Sequence, residues 1–329
     1  MSKKLVFLGM GGTIAGTADS ATDNVGYKSA QVGVAQLLAA IPPLRTALGD
    51  WLLLSEQVAQ VDSKDMGHGQ WRSLVLRVIH YLGMPDVRAL VITHGTDTLE
   101  ETAFFLSRVL PVNLLVAKPV VLTCAMRPAT SLAPDGPQNV LDAAAVALAP
   151  AASGVLVVCA GTVHSARDVQ KVHPYRTNPF DSGDAGPLGY VEEGVVRWVH
   201  HCDDLFVDAR PFALDRFAPE AWPWVEIVIS HAGATGATVR AICGGGIQGT
   251  PPLRGIVVAG TGNGTIHQDL ESALREAQQQ GIRIVRSTRC AQGGVVPGAA
   301  KFEFAHSNGL SPVKARIALM LELLQEEMS

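Results

Sequence analysis

Short runs of branched apolar residues recur along this chain, each followed by a glycine-rich or polar turn: LVFLG, ALVITH, KPVVLTC and GVLVVCAG in the first half, VEIVIS, GIVVAG and IRIVRS in the second. Runs that are apolar at nearly every position have no face to offer water, so they suit strands covered on both sides in a parallel sheet with helical crossovers. Helical patterns separate many of them. Asp97 is placed to cap LEETAFFLSRVL, Pro137 suits the first turn of QNVLDAAAVAL, and Gly281 follows LESALREAQQQ as a stop. Ser311 and Pro312 open a last amphipathic segment, SPVKARIALMLELLQEE, expected to pack on the second sheet. The expected fold is α/β: a larger amino-terminal domain with a mostly parallel, mixed sheet between helices, and a smaller carboxy-terminal α/β domain. The pattern breaks at DDLFVDARPFALDRFAPEAWPW, whose prolines and aromatics resist regular structure. This places the domains at 1–202 and 225–329, with a linker over 203–224.

Composition narrows the partners. With 329 residues and 47% hydrophobic content, the chain can build about two cores. A formal net charge of −4 without a basic stripe or polybasic run argues against nucleic acid or a membrane surface as partner. No run reaches the roughly 20 apolar residues of a membrane span, and MSKKLVFLGMGG reads as a first strand rather than a leader. The five cysteines are widely spaced and odd in number, which fits free thiols in a reducing, cytoplasmic setting better than a disulfide framework. Neither they nor the ten histidines have metal-ligand spacing, so no metal or cofactor is expected.

Two threonines carry the chemical signal. Thr13 in KLVFLGMGGTIAG and Thr96 in ALVITHGTDTLEE each follow glycine at the end of an apolar run. Open parallel sheets bind ligands at the carboxyl ends of their strands, so the turns after LVFLG, ALVITH and KPVVLTC are expected to border one crevice. Glycine there admits backbone conformations closed to other residues, and the turn amides can hold a developing oxyanion. A threonine hydroxyl needs a base or a polarising partner to become a nucleophile. Asp97 adjoins Thr96, and ARDVQKVHP supplies Lys171 as a candidate amine. Burial would lower the pKa of that lysine and Asp97 would raise it. Taken singly, Asp97 reads more readily as a helix cap and Lys171 as a solvated surface charge.

Other chemistries fit less well. GMGG and AGTGNG lack GxGxxG spacing, no GxSxG elbow exists, and cleavage before Thr96 to free a threonine amine would cut a strand from its helix. A small-molecule binding or sensor protein is the non-enzymatic alternative, against which Lys171 argues, since a pure binder has no need of it.

The chain resembles the bacterial-type L-asparaginases, including the glutaminase-asparaginases. The resemblance is carried by GGTIAG (Gly11 to Gly16), VITHGTDTLEETAFFL (Val91 to Leu106), AMRPATSLAPDGPQN (Ala125 to Asn139), RDVQK (Arg167 to Lys171), GPLGY (Gly186 to Tyr190) and AGTGNG (Ala259 to Gly264). It implies hydrolysis of a side-chain amide, asparagine or glutamine, without a cofactor, by a homotetramer of two intimate dimers with active sites between subunits. By motif, Thr13 would be the nucleophile, with Tyr27 on the following loop, which matches after a one-residue shift. Thr96, Asp97 and Lys171 would form the second polar group. Gly12, Gly95, the Thr96 amide and the neighbourhood of Ala125 would line the site. Asp97 and Ser63 would hold the substrate's charged head group, and Asn263 would come from the partner subunit. The order in which the two threonines act stays open.

Three departures accompany the resemblance. Lys64 stands where periplasmic-type members have a head-group glutamine, and Val295, Val296 and Pro297 stand where a late-loop glutamate is usual. If Lys64 faces the site, the head-group pocket becomes more positive, and the enzyme binds asparagine more weakly than its relatives do or accepts an amide lacking the α-amino group; if it faces solvent, nothing changes. Met84 and Val116 occupy the places of a cystine found in exported members, in keeping with a cytoplasmic address.

Overall fold

The computed structural model describes residues 3–202, 222–244, 251–296 and 304–326, and the chain divides into two compact units within 203–221. Among the described residues the first unit has ten strands: β1 (Lys4–Gly11), β2 (Leu52–Val61), β3 (Val87–Thr93), β4 (Val120–Thr123), β5 (Val155–Cys159), β6 (Thr162–Ser165), β7 (Gln170–Lys171), β8 (Phe180–Asp181), β9 (Gly189–Glu192) and β10 (Val195–Trp198). Its helices are α1 (Val34–Ala39), α2 (Pro42–Leu48), α3 (His68–Leu82), α4 (Leu99–Val109), α5 (Val112–Ala117) and α6 (Gly136–Leu148). Eight of these strands form one sheet in the order β10-β9-β6-β5-β4-β3-β1-β2. From β2 to β5 the neighbours run parallel; β6, β9 and β10 extend the sheet antiparallel. β7 and β8 make a separate short ladder.

The apolar runs fill both faces of this sheet. Leu5, Phe7, Ala89, Val91, Val121, Leu156 and Val158 join one core with Leu37, Leu38, Leu44, Leu48, Val140 and Ala144 of α1, α2 and α6. The alternate residues Val6, Leu8, Leu90, Ile92, Val120, Leu122 and Val157 point the other way by the two-residue period of a strand, and are just as buried. α3 and α4 pack on the sheet as well. Each such side chain contributes about 1.5–3 kcal/mol when fully removed from water.

Among the described residues the second unit has a four-stranded parallel sheet, β11 (Trp224–Ile229), β12 (Leu253–Gly260), β13 (Arg283–Thr288) and β14 (Ala305–His306), in sequential order. α7 (Ala237–Cys243) and α8 (Gln268–Gln279) share its core, and α9 (Pro312–Glu326) packs on β11, β12 and β13 as expected. Among the described residues no helix is long and apolar enough to cross a membrane.

Two capping expectations are corrected. α4 begins at Leu99 with Thr98 as cap and no side-chain capping bond, because the Asp97 carboxylate pairs with Lys171 instead. The buried Ser311 hydroxyl finds no hydrogen-bond partner among the described residues, so it does not cap α9, although its carbonyl accepts from Ala315 N–H. Pro137 lies in the first turn of α6, and Gly281, with φ +87°, follows α8 as expected. Most of the expected linker, 203–221, lies outside the described residues; Trp224 already opens β11.

Candidate active site

The adjacency of β1, β3 and β4 brings their carboxyl ends together, and two glycines set how close the turns come. A Cβ built on Gly12 would lie 2.2 Å from the Cα of Gly95, and Gly12 has φ +82°. Only glycine on both sides permits this approach. The residues that follow, Thr13 and Thr96, are thereby carried to one place, both buried. β2 ends beside them: a Cβ on Gly95 would meet the Ser63 hydroxyl at 2.5 Å.

Thr13 opens a single turn of 3-10 helix, Thr13–Ala15. Its hydroxyl shares a 2.6 Å hydrogen bond with the Tyr27 hydroxyl. Tyr27 reaches it from a loop closed by paired backbone bonds between Thr17 and Lys28, 2.9 and 2.8 Å. The loop is fastened further by Ala18 N–H to the Thr130 hydroxyl, Leu132 N–H to the Ala21 carbonyl, and the Ser131 hydroxyl to Asn24. The tyrosine is thus held on Thr13 by a built loop rather than by chance.

Thr96 has a cationic partner. Lys171 Nζ donates to Thr96 Oγ1 at 2.8 Å and to Asp97 Oδ1 at 2.5 Å. The lysine side chain is 16% exposed and the aspartate 54%, so the pair sits at the mouth with its cation inward. Lys171 N–H donates to the Glu100 carboxylate in the first turn of α4, which fixes the short strand β7 beside the Thr96 turn. Asp97 N–H donates to Ser63 Oγ at 3.2 Å, and the Thr98 hydroxyl donates to the Ser63 carbonyl at 2.7 Å. Ser63 therefore keeps its own hydroxyl hydrogen for a ligand.

Behind Thr96 lies a buried relay. Gly95 C=O accepts only, so His94 Nδ1, 2.8 Å away, carries the proton. Nε2 then accepts from the Thr102 hydroxyl at 3.0 Å, which itself accepts from Trp71 Nε1 at 2.9 Å. Burial holds the His94 pKa down at about 4, so the ring is neutral, in agreement with that tautomer. The relay fixes the Gly95–Thr96 peptide plane. On the β4 side, the two Asp135 oxygens accept from Met126 N–H and Arg127 N–H, both at 2.9 Å, and set the turn that carries Ala125.

Thr13, Tyr27, Thr96, Asp97, Lys171, Gly12, Gly95, Ser63 and Ala125 are thus placed around the ends of neighbouring strands of one sheet. Lys64, next to Ser63, is exposed and pairs with Asp65; Asp65 foremost, then Asp62 and Asp97, raise its pKa. Asn263 belongs to the second unit, in the turn after β12. There its Oδ1 accepts from Val296 N–H at 2.7 Å and its Nδ2 donates to the Val296 carbonyl at 3.0 Å. Val295 is buried and Val296 exposed; Pro297 lies outside the described residues. Glu100, His94, Thr102, Trp71 and Asp135 were not singled out from sequence. His94, closing the run ALVITH directly before the glycine–threonine turn, was the one signal for this set.

Comparison with known proteins follows the same lines. Residues 4–203 match the family model "Asparaginase, N-terminal", and residues 224–329 match "Glutaminase/Asparaginase C-terminal domain". The chain is 36% identical over 327 residues to L-asparaginase 2 of Escherichia coli (strain K12), covering 98% of this chain and 89% of the relative. It is 35% identical over 335 residues to the glutaminase-asparaginase of Pseudomonas fluorescens biotype A, covering 98% and 87%. A solved structure, described as a probable cytoplasmic L-asparaginase from Campylobacter jejuni, superposes with a TM-score of 0.87 at 33% identity, covering 98% of this chain and 95% of that one.

Proposed function

Because this chain belongs to the asparaginase family, and is an asparaginase-type amidohydrolase, we propose that it converts L-asparagine and water to L-aspartate and ammonia through an acyl-enzyme on Thr13. The observation that carries this reading is the pairing of two buried threonines with unlike partners: Tyr27 at 2.6 Å on Thr13, and Lys171 at 2.8 Å on Thr96. Thr13 Oγ1 attacks the side-chain amide carbon, and its proton leaves along the Tyr27 hydroxyl toward the departing nitrogen. The amide oxygen takes up negative charge where the Thr96 N–H and the Ala125 turn present amides, on backbone already fixed by His94 and Asp135. Ammonia leaves. Water, oriented by Thr96 with Lys171 behind it, then cleaves the ester and returns Thr13.

The head group is assigned to Asp97 and Ser63. Lys171 occupies one Asp97 oxygen and leaves the other for the α-ammonium; the Ser63 hydroxyl hydrogen serves the α-carboxylate. Two cations, Lys64 and Lys171, stand against three carboxylates, Asp62, Asp65 and Asp97. That balance is negative and favours an α-ammonium. The reading extends to a cytoplasmic homotetramer of two intimate dimers, with Asn263 completing the partner's site, and light scattering with cell fractionation tests that part.

The central test is ammonia release from asparagine, glutamine and succinamic acid by the wild type and Thr13→Ala. Asparagine is expected to be the best substrate and Thr13→Ala inactive. Undiminished hydrolysis by Thr13→Ala removes the nucleophile assignment; no hydrolysis of any amide by the wild type removes the enzyme reading in favour of a binding protein.

A further inference from the structure

A second chemically reactive pair lies directly behind the site. β4 and β5 run parallel with Thr123 opposite Val158, and each is followed or closed at the next position by a cysteine, Cys124 and Cys159. Both thiols are free and buried, the strand register sets them side by side, and the Cys159 thiol donates to the Thr177 carbonyl at 3.9 Å. Neighbouring strands lie about 4.8 Å apart, inside the Cα separation of about 4.4–6.8 Å that a disulfide spans. One side chain links the two: Asn139 Nδ2 donates to the Cys124 carbonyl at 2.9 Å and approaches Cys159 Sγ at 3.9 Å, while its Oδ1 accepts from Ala160 N–H at 2.9 Å.

We infer that Cys124 and Cys159 are a peroxide-oxidisable dithiol whose disulfide switches off the neighbouring hydrolytic site. A groove of about 1290 Å³, lined by α6, α2 and the β9–β10 hairpin, reaches Ala160 and Gly161, the two residues after Cys159. The neighbouring Cys159 thiol, then burial, pushes the Cys124 thiol well above its ordinary range. Cys159 Sγ gives up the proton it directs at the Thr177 carbonyl and attacks hydrogen peroxide: an S–O bond forms, the O–O bond breaks, and the leaving hydroxide takes up that proton as water. Cys124 then gives its proton to the departing hydroxyl and attacks Cys159 Sγ; the S–S bond forms, the S–O bond breaks, and water leaves. Two thiols and one peroxide become one disulfide and two waters, each sulfur losing one electron.

The coupling to the site is mechanical. Cys124 immediately precedes Ala125, whose Cβ neighbours the same glycine, Gly136, that packs on Ile14 next to Thr13. Drawing Cys124 toward Cys159 shifts that turn, and a displacement of about 1 Å at a reacting centre costs on the order of 100-fold in rate.

The test treats the full-length protein with hydrogen peroxide, maps disulfides by mass spectrometry, and measures ammonia release before and after dithiothreitol. The exposed Cys290 serves as internal reference for oxidant exposure. The expected result is a Cys124–Cys159 cross-linked peptide with about 100-fold lower activity, restored by dithiothreitol and absent from Cys124→Ala and from Cys159→Ala. Cys124 and Cys159 remaining alkylatable after denaturation, once Cys290 is fully oxidised, would overturn the dithiol. A cross-link that leaves the rate unchanged would overturn the switch. The peptide map does not depend on activity, so it stands even if the amide substrate is misassigned and separates the two readings.

Discussion

Replacing Gly12 by alanine isolates the contact on which the site depends. The added methyl would lie 2.2 Å from Gly95 Cα and 2.4 Å from Gly95 N. Carbon atoms rest at about 3.5 Å or more, and both obstacles are backbone, so the Thr13 and Thr96 turns must part by more than about 1 Å. A displacement of that size is worth on the order of 100-fold in rate. The variant also carries strain, because Gly12 has φ +82° and ψ −170°, a region essentially reserved for glycine that costs another residue about 1–3 kcal/mol. Gly281→Ala supplies a positive-φ substitution without the clash: its φ is +87°, and nothing among the described residues lies within 4 Å of the added carbon. Both variants should melt earlier, by about 2–8 °C from strain alone, with Gly12→Ala lower still. Only Gly12→Ala should lose about 100-fold in kcat/KM for amide hydrolysis. Ammonia release and thermal melts on the same preparations decide it. A folded Gly12→Ala enzyme hydrolysing at the wild-type rate would refute the close approach of the two turns.

Tyr27→Phe should retain the fold and lower kcat by about 10²–10⁴ with a smaller change in KM, as removal of a proton-transfer group does; steady-state kinetics check it. Lys171→Met should fall in kcat within the same range, while its far-ultraviolet circular dichroism matches the wild type, because the side chain serves Thr96 and Asp97 rather than a core. His94 sets an acid limit on stability: its pKa is about 4 when folded, against the ordinary 6.5. The unfolded chain binds a proton below 6.5 that the folded chain refuses until about 4, so stability is lost as pH falls through that window. The loss approaches about 3 kcal/mol, and urea melts of His94→Gln should be flatter between those values. Lys118 Nζ donates to the Leu82 and Met84 carbonyls at 2.7 and 2.5 Å, tying the end of α3 to the start of β4. Lys118→Met should therefore cost about 1.5–3 kcal/mol in urea unfolding and leave hydrolysis unchanged.

What could be read from the sequence follows from how many faces a segment buries. β1, β3, β4 and β5 are covered on both sides, so their sequences are nearly pure apolar runs and announce themselves. β2, LLLSEQVAQV, is the sheet's far edge and alternates exposed with half-buried positions; its glutamate and glutamines disguise it. β6, β9 and β10 are four residues each and mix polar with apolar side chains, too short for a period to emerge. α3 was legible in principle, since Trp71, Leu74, Val75, Val78 and Leu82 mark one helical face. At the site, the glycine–threonine turns were readable because close backbone approach demands glycine whatever the rest of the chain does. Asp97 was ambiguous for a physical reason: an aspartate ahead of a helix is an ordinary cap, and only a lysine 74 residues away, brought beside it by β7, converts it into an ion pair. The Trp71–Thr102–His94 relay is harder still, because its members come from α3, α4 and the end of β3 and share no spacing. A sequence can thus display the groups that react, whereas the groups that hold them still become visible only when the strands and helices that carry them are in place.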